Sequence, residues 1–490
     1  MRLDWLAQQA AARPRGLALV YGDRRWTYAE LNDFAAGLAG RLAAAGVRDR
    51  HHVAVLMPNR PAYVGLIHAL ARLGAVLVPL NLRLTPDELA WQLDQADCRY
   101  LICSRETAQE AAALDRGNWR TLSVDDAGGP PPRPPAQKPG PLDLSAMQAI
   151  VHTSGTTGRP KGAMLTYANH LWSATASAFR LGTDPADRWL LAMPLYHVGG
   201  LAIVLRCCLY GTAVVLQPRF EPEAANRALE TQAISLVSLV PTMLQRLLEV
   251  RGPRPFPSTL RCILLGGGPA PEALLERCRA LDAPLALTYG LTEAASQVAT
   301  STVDQTRRKP GGAGRPLLFS TVRIVGQDGE ELPPGEVGQI LVRGPTVMPG
   351  YYRQPQASAE TLAGGELHTG DLGYLDDEGD LWPVQRRADL IVSGGENVYP
   401  AEVERVLLGH PAVEAACVVG LADEVWGQRV AAAVVLGEGA ALSAEALLAF
   451  CRARLAGYKQ PRLVRFVEAL PQTASGKVQR GAVAELLGEG

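Results

Sequence analysis

Residues 52–80 read "HVAVLMPNRPAYVGLIHALARLGAVLVPL". The opening run, "HVAVLMPN", is short and apolar, which is typical of a buried strand. "PAYVGLIHALARLG" is typical of a helix that begins at a proline and ends at a glycine, and "AVLVPL" predicts the next strand. Just upstream, residues 27–46 predict a helix that is capped by Thr27 and Glu30. This strand–helix–strand order favours an α/β fold with a largely parallel sheet.

The same alternation continues on both sides of residue 150. It predicts a large N-terminal domain of mixed, largely parallel sheets flanked by helices. The predicted elements are a helix in "TPDELAWQLDQAD" and strands in "RYLICS", "LSAMQAIVHT", "RWLLAMPL", "TAVVLQ", "ISLVSLVP", "LRCILLGGG" and "PLALTYG".

From about Ser320 onward the pattern changes to a period of two, with a turn at Asp328-Gly329, which predicts a small antiparallel, β-barrel-like region. A compact α+β module follows, with helices opening at Pro400 and Ser443. We place the boundary at residues 386–389, so that the predicted domains are 1–386 and 387–490. The Pro/Gly-rich residues 125–141 predict a surface loop or linker.

Composition restricts the function classes. The 490 residues are 47% hydrophobic and 20% charged, with a formal net charge of -1, so no global field recruits nucleic acid or an anionic membrane. The eight cysteines show no CxxC spacing, which favours free thiols in a reducing cytoplasm. We expect no signal peptide and no membrane insertion, because no run of about 18 uninterrupted apolar residues occurs. The sequence leaves open whether the chain forms a homo-oligomer.

A glycine- and hydroxyl-rich stretch, "TSGTTGRPKG", runs from Thr153 to Gly162 after a predicted strand. It contains one of only five lysines in the chain, and a compact ammonium suits a phosphate better than a planar guanidinium would. A strand, such a loop and a helix together commonly cradle phosphate oxygens. A Walker A loop is excluded, because Pro160 and Gly162 stand where that motif requires Gly and Ser/Thr. On the loop alone, a polar surface loop remains the alternative.

Four further stretches stand in the order and spacing that mark one family. They are "LLGGGPAP" (264–271), "TYGLTEAAS" (288–296), "LHTGDLGYLDDEGDLWPVQRRADLIVSGGENVYPAEVE" (367–404) and "PQTASGKVQR" (471–480). Together with the glycine-rich stretch, they make nearly the whole chain resemble the adenylate-forming superfamily of acyl- and aryl-CoA ligases, luciferases and nonribosomal-peptide adenylation domains. The resemblance implies ATP, Mg²⁺ and coenzyme A as co-substrates and cofactors, and an N-terminal adenylation domain followed by a mobile C-terminal domain.

The resemblance also implies nucleotide-binding roles. Tyr289 would stack on adenine, Thr292 would bind the α-phosphate, and Glu293 would hold Mg²⁺. The β- and γ-phosphates would be held by Thr153, Ser154, Gly155, Thr156, Thr157, Gly158 and Lys161. The other residues implied to bind the nucleotide are Gly266, Gly267, Gly268 and Gly290 near adenine, and Asp371 and Arg386 at the ribose. Without the resemblance, Tyr289 would pass for a core residue and Glu293 for an acid at a helix N-terminus.

The resemblance further implies that Lys477, in the small domain, would bridge the substrate carboxylate and the α-phosphate. The small domain would then rotate, and Gly394 and Gly395 would line the CoA tunnel. Ala388 stands where the family usually has a charged hinge residue, so the pivot is not identified.

Within the superfamily, three stretches look closest to o-succinylbenzoate–CoA ligases: "AMPLYHVGGLAIVLRCCLYG", "CILLGGGPAPEALLERC" and "TYGLTEAASQVAT". The residues implied to bind the acid are His197, Arg206, Gly268, Ser296 and Gln297. Arg206 also stands out on physical grounds, because a guanidinium inside an apolar run needs an anion. That anion is either a protein acid or a second carboxylate of the substrate, unless the side chain reaches solvent.

The leading interpretation is an ATP-dependent acid–CoA ligase for o-succinylbenzoate. The alternatives are a ligase for another aryl or medium-chain acid, an enzyme that loads a carrier protein, and a nucleotide-binding regulator without catalysis.

Overall fold

A computed structural model describes residues 4–114, 119–125, 143–153, 160–268, 270–326, 328–385, 390–437, 439–471 and 478–488. The chain divides into two compact units. Unit 1 comprises Met1–Leu82, Leu93–Val151 and Gly162–Val384, and unit 2 comprises Arg83–Gln92, His152–Lys161 and Gln385–Gly490. The predicted boundary at 386–389 and nearly all of the predicted linker lie outside the described residues.

The strands, in chain order, are β1 (Leu17–Tyr21), β2 (Arg24–Thr27), β3 (His52–Leu56), β4 (Val76–Pro79), β5 (Cys98–Cys103), β6 (Arg120–Ser123), β7 (Met147–Thr153), β8 (Lys161–Thr166), β9 (Arg188–Leu191), β10 (Ala213–Leu216), β11 (Leu236–Leu239), β12 (Cys262–Leu265), β13 (Leu285–Leu291), β14 (Ser296–Thr300), β15 (Thr321–Val325), β16 (Gly338–Arg343), β17 (Leu367–Leu375), β18 (Leu381–Gln385), β19 (Ile391–Ser393), β20 (Glu396–Val398), β21 (Val413–Asp423), β22 (Gly427–Leu436) and β23 (Leu463–Phe466).

The α-helices are α1 (Trp5–Ala12), α2 (Tyr28–Ala44), α3 (Pro61–Leu73), α4 (Pro86–Gln95), α5 (Ala108–Ala113), α6 (Tyr167–Leu181), α7 (Val198–Tyr210), α8 (Pro222–Thr231), α9 (Pro241–Arg251), α10 (Glu272–Ala280), α11 (Val303–Arg308), α12 (Pro355–Thr361), α13 (Pro400–Leu408), α14 (Ala444–Arg452) and α15 (Arg480–Gly488). Short 3₁₀ turns occupy Arg105–Thr107, Thr292–Ala294 and Ala363–Gly365.

Unit 1 is built on three sheets. The first has eight strands in the order β14-β13-β12-β11-β9-β10-β1-β2, and its inner pairs from β13 to β1 are parallel. The second has six strands in the order β6-β5-β3-β4-β7-β8, with parallel pairs from β6 to β7. The third has four strands, β15 to β18 in sequence order, and its described pairs are antiparallel. The predicted α/β fold with a small antiparallel region is therefore confirmed.

Buried side chains alternate between two cores of unit 1, which explains why the strands have continuous apolar sequences. On β1, Leu19 belongs to the core that also contains α2, α3 and α7, whereas its neighbour Val20 packs with α8, α9 and α10. Leu191 and Leu190 on β9 divide in the same way. The eight-stranded sheet thus has helices on both faces.

Unit 2 contains a five-stranded sheet in which β20, β19, β22 and β21 follow one another and β23 pairs in parallel with β22. The predicted helix starts are confirmed: Pro400 is the first residue of α13, and Ser443 caps α14 by accepting a hydrogen bond from the Ala446 N–H.

The element after the glycine-rich stretch differs from the one that commonly completes a phosphate-binding loop. The glycine-rich stretch follows β7, but the next element is β8, a strand, and not the helix that usually follows a phosphate-binding loop. β8 is buried at five of its six positions and lies at the edge of the six-stranded sheet. The pairing of β8 with β7 in this sheet accounts for its strand conformation.

No described helix combines the length and apolar character needed to cross a membrane.

Candidate active site

Several predicted site residues of unit 1 lie at or after the carboxyl ends of strands in the eight-stranded sheet. His197 follows β9, Gly266 to Gly268 follow β12, and Tyr289 lies near the end of β13. The strand order reverses direction at β9, because β10 lies on one side of it and β11 on the other. In parallel α/β sheets, ligands bind outside the carboxyl ends at such a switch point.

Two predicted nucleotide residues meet directly. The hydroxyl of Tyr289 donates a hydrogen bond of 2.7 Å to Oδ2 of Asp371 on β17. The backbone N–H of Asp371 donates to the Thr369 hydroxyl at 3.1 Å. The Tyr289 ring is 7% exposed and packs in the core of the antiparallel region. The structure therefore joins the residues predicted for adenine and ribose into one hydrogen-bonded pair.

At two positions of the site, neighbouring atoms lie so close to the backbone that only glycine fits. A Cβ at Gly266 would lie 2.6 Å from the Thr288 side chain and 2.9 Å from its carbonyl oxygen, and a Cβ at Gly290 would lie 1.8 Å from the Ser296 carbonyl oxygen. No side chain fits either place. Gly267 and Gly268 lie in the turn beside Gly266, where Gly267 has a φ of 79°.

The turn after Gly290 carries backbone strain. Thr292 opens the 3₁₀ turn, and the two residues that follow the turn have positive φ, at 51° for Ala295 and 97° for Ser296. Such strain in non-glycine residues concentrates at functional sites. Gln297 is 1% exposed and donates to the Thr300 hydroxyl at 3.1 Å, while its amide oxygen has no partner among the described residues.

The carboxylate of Glu293 is oriented by a residue that the sequence did not identify. Its Oε1 accepts a hydrogen bond of 2.8 Å from the hydroxyl of Tyr351, and its backbone carbonyl accepts from the Met348 N–H at 2.8 Å. Tyr351 in turn bridges to Ala163 in β8. Glu293 is therefore fixed at both its side chain and its backbone.

The ends of the glycine-rich stretch are close together. The Thr153 hydroxyl donates to the backbone carbonyl of Lys161 at 3.4 Å, and Lys161 is 9% exposed. The residues between them that were predicted to bind phosphate lie outside the described part of the chain; they are Ser154, Gly155, Thr156, Thr157 and Gly158. Two further predicted site residues, Arg386 and Lys477, also lie outside it.

Arg206 is buried and has no acidic partner among the described residues. Its side chain lies on α7 at 3% exposure and donates to the Ser173 hydroxyl at 3.2 Å, while its Nε has no partner among the described residues. The Ser173 hydroxyl donates to the carbonyl of Ala295, beside Ser296, at 2.7 Å. Burial lowers the pKa of Arg206, and burial together with the Arg206 charge lowers the pKa of His170 to about 3. Neither a protein acid nor solvent exposure accounts for this cation in the described chain.

His197 directly precedes α7 and is half-buried. Its ring lies 4.7 Å from the ring of Tyr196, in an edge-on contact.

In unit 2, Gly394 and Gly395 form the tight turn between β19 and β20, with φ of 59° and 81°. A Cβ at Gly394 would lie 2.6 Å from the ring of Trp426. The roles given to these residues remain predictions.

Sequence reasoning missed Tyr351 and Ser173. Tyr351 lies in "GYYR" and Ser173 on a helix face with other small residues, and neither stretch carries a catalytic pattern. Only the tertiary structure shows their partners, which are 58 and 122 residues away in the chain.

Comparison with known proteins agrees with this geometry. Residues 6–352 match the AMP-binding enzyme family, and residues 402–477 match the AMP-binding enzyme C-terminal domain. The chain is 46% identical over 484 residues to the 2-succinylbenzoate–CoA ligase of Geobacillus kaustophilus, covering 99% of this chain and 98% of the relative. It is 43% identical over 486 residues to that of Bacillus cereus, with 99% and 98% coverage.

Solved structures show the same relationship. A double mutant of o-succinylbenzoate CoA synthetase from Bacillus subtilis, bound to a product analogue, matches with a TM-score of 0.91 at 39% identity over 99% of this chain and 98% of that one. The same synthetase with ATP and a magnesium ion matches at 0.75 and 39% over 98% of both chains. The amide bond synthetase McbA from Marinactinospora thermotolerans matches at 0.87 and 32% over 99% of both. The chain therefore belongs to the AMP-binding enzyme family of adenylate-forming enzymes.

Proposed function

We propose that this chain is an ATP-dependent 2-succinylbenzoate–CoA ligase that acts through an acyl-adenylate. The observation that carries the proposal is the contact of Tyr289 with Asp371 at 2.7 Å, in a chain 46% identical to a curated ligase of that name over 99% of its length. An aromatic ring and a carboxylate held together suit a nucleoside, since the ring offers a stacking face and the carboxylate accepts from ribose hydroxyls.

The reaction has two halves. First, a carboxylate oxygen of the acid attacks the α-phosphorus of ATP, the bond to the bridging oxygen breaks, and pyrophosphate leaves. Second, the CoA thiolate attacks the acyl carbonyl carbon and AMP leaves. The first half needs positioning and charge neutralisation more than a protein nucleophile. Thr153, Lys161 and the residues between them would hold the leaving pyrophosphate, and Lys477 would neutralise charge near the α-phosphate.

Glu293 fits a magnesium ligand. It is a hard oxygen donor, and the Tyr351 hydroxyl fixes its orientation. No group of three or more His, Cys, Asp or Glu side chains in the described ranges could hold a metal ion, so the ion would take its other ligands from phosphate and water, as Mg²⁺ commonly does. When bound, Mg²⁺ would supply positive charge at the phosphates, while Thr292 would donate to the α-phosphate.

Arg206 supports a dicarboxylate substrate. Its buried guanidinium lacks a protein acid among the described residues, and 2-succinylbenzoate keeps one carboxylate after the other is activated. That second carboxylate would neutralise Arg206, with His197, Gly268, Ser296 and Gln297 lining the same pocket. A monocarboxylic acid would leave the cation unpaired.

The second half-reaction would need residues 387–490 to act as a mobile domain that first brings Lys477 and then the Gly394–Gly395 turn to the acyl group. A hinge needs only a residue that absorbs a change in φ and ψ, so Ala388 can serve there. We also place the enzyme in the cytoplasm, because the eight cysteines, which all lie within the described residues, are buried and form no disulfide.

A competition assay tests the proposal. The enzyme is given ATP, Mg²⁺, CoA and an equimolar panel of aryl, medium-chain and dicarboxylic acids including 2-succinylbenzoate, and the CoA thioesters are separated by mass. We expect the succinylbenzoyl thioester to dominate. A different dominant thioester would establish another acid, and acid-dependent pyrophosphate exchange without any free thioester would favour a carrier-protein acceptor.

A further inference from the structure

A buried ammonium group joins three segments of unit 2. The Nζ of Lys459 donates hydrogen bonds of 2.7 Å to Glu402 on α13 and 2.6 Å to Glu88 on α4. The side chains of Lys459 and Glu402 are 2% and 3% exposed, and that of Glu88 is 13% exposed. A buried cation of this kind requires anionic partners, and here two are provided.

Glu88 has a second function in its own helix. Its Oε2 accepts from the N–H of Thr85 at 2.8 Å and from the Thr85 hydroxyl at 2.9 Å, which closes a capping box at the start of α4. The same oxygen accepts from the N–H of Ala456 at 3.1 Å. Both oxygens of Glu88 therefore hold the 456–459 segment.

A second attachment lies beside the glycine turn proposed to admit CoA. Arg83 forms an ion pair of 3.3 Å with Glu396, and its guanidinium lies 4.9 Å from the centre of the Tyr458 ring. Glu396 begins β20 directly after Gly394 and Gly395. Residues 83–92 are thus attached through charged groups both to the 456–459 segment and to the strand that follows the glycine turn.

Chain connectivity makes these attachments temporary if the small domain rotates. Residues 83–92 belong to unit 2, but they are continuous at both ends with Leu82 and Leu93 of unit 1. We therefore expect residues 83–92 to stay with unit 1 when residues 390–488 rotate, which would break the bonds of Glu88 and Arg83. Glu402 lies on α13 and stays with Lys459, so the ammonium keeps one carboxylate in either state.

We propose that Glu88 and Lys459 form a latch that holds residues 83–92 against the 456–459 and 393–398 segments during acyl transfer to CoA. Glu88 is then a positioning residue of the second half-reaction and not of the first. This inference rests on the proposed ligase function and adds to it the interaction that favours the CoA-reactive state.

Glu88→Gln tests the latch with little risk to folding. Glutamine has one acceptor oxygen, so it can keep the capping box only by turning its amide N–H groups toward Lys459. Lys459 keeps Glu402, but its charge-assisted bond to residue 88 is lost. Glu445→Gln is the matched control, because it removes an exposed carboxylate from α14 of the same unit. Thr85→Ala removes the hydroxyl bond to Glu88 but leaves the bond between Glu88 and Lys459, so it controls for the contribution of the cap.

Two measurements separate the half-reactions. Pyrophosphate exchange into ATP with 2-succinylbenzoate reports the first, and single-turnover transfer from preformed succinylbenzoyl-adenylate to CoA reports the second. We expect Glu88→Gln to keep exchange within about twofold of wild type and to slow transfer about tenfold, as loss of one charge-assisted bond implies. Glu445→Gln and Thr85→Ala should leave the ratio of the two rates unchanged.

Transfer by Glu88→Gln at the wild-type rate, or an equal loss in both halves, would overturn the latch while leaving the ligase function intact. If the wild-type enzyme exchanges pyrophosphate but makes no CoA thioester, the ligase function fails, and the role of Glu88 fails with it.

Discussion

The Tyr289 hydroxyl lies 2.7 Å from Oδ2 of Asp371, across 82 residues of sequence. Tyr289 belongs to the eight-stranded sheet and Asp371 to the four-stranded antiparallel sheet, so the contact ties two sheets of unit 1 together at the predicted nucleotide site. An acid that is already held by a hydrogen bond loses less side-chain freedom when it accepts ribose hydroxyls, which favours ATP binding through preorganisation.

Tyr289→Phe tests this contact. The ring stays available for adenine, but Asp371 loses its donor. A hydrogen bond to a charged group contributes about 1.5–3 kcal/mol, so we expect the KM for ATP to rise about tenfold or more in the pyrophosphate exchange assay. Tyr21→Phe, on a strand at the other side of the same sheet, is a control that should leave the KM unchanged. An unaltered KM in Tyr289→Phe would show that the hydroxyl does not prepare the site.

Tyr351→Phe should raise the Mg²⁺ concentration that adenylation requires. The hydroxyl orients Glu293 at 2.8 Å, and loss of a partner that orients a metal ligand commonly costs about 10- to 100-fold in metal affinity or activity. We expect the Mg²⁺ concentration for half-maximal exchange to rise by about tenfold, with near-normal rates at saturating Mg²⁺. If only the saturated rate falls, Tyr351 acts in some other way.

Arg206→Met should reduce the turnover of dicarboxylic acids far more than that of monocarboxylic acids. Methionine fills part of the apolar space but carries no charge, so we expect turnover of 2-succinylbenzoate to fall by about 100-fold or more, which corresponds to about 3 kcal/mol. A benzoate analogue without the second carboxylate should be affected by less than about threefold. Equal losses for the two acids would exclude a role of Arg206 in recognising the second carboxylate.

The same substitution makes a prediction about stability. Arg206 is buried with no acid among the described residues, whereas Arg251, also buried, is paired with Glu230 at 2.9 Å and with Asn226 at 3.1 Å. Removing a buried cation that lacks an acid should be neutral or stabilising, while Arg251→Met should destabilise the protein by about 2 kcal/mol or more, because it leaves paired groups unsatisfied. Thermal unfolding of both variants without ligand checks this, and a larger loss in Arg206→Met would contradict it.

His170 should make the protein sensitive to acid. Burial and the Arg206 charge lower the pKa of the folded His170 to about 3, from its ordinary value of 6.5. Below pH 6.5 the unfolded chain binds a proton that the folded chain does not, so stability falls as the pH falls. Between pH 7 and pH 5 this histidine should cost about 2 kcal/mol. The free energy of unfolding of His170→Gln should therefore depend less steeply on pH than that of wild type, and parallel curves would contradict the account.

Local signals explain which features could be predicted from the sequence. The capping box of α2 and the proline starts of α3 and α13 are present as expected, because caps depend on residues three or four positions apart. The strand after the glycine-rich stretch was not predicted, since its pairing in the sheet decides its structure. The contacts of Glu293 with Tyr351 and of Glu88 with Lys459 span 58 and 371 residues, and no local pattern encodes them.

Transfer of radiolabel from pyrophosphate into ATP, with and without 2-succinylbenzoate, tests the central claim most directly. If the acyl-adenylate forms reversibly, exchange should require both Mg²⁺ and the acid and should occur without CoA. It should fall sharply in Asp371→Ala. Exchange that is absent with 2-succinylbenzoate and with every other carboxylic acid, in an enzyme that still binds ATP, would contradict adenylate formation altogether.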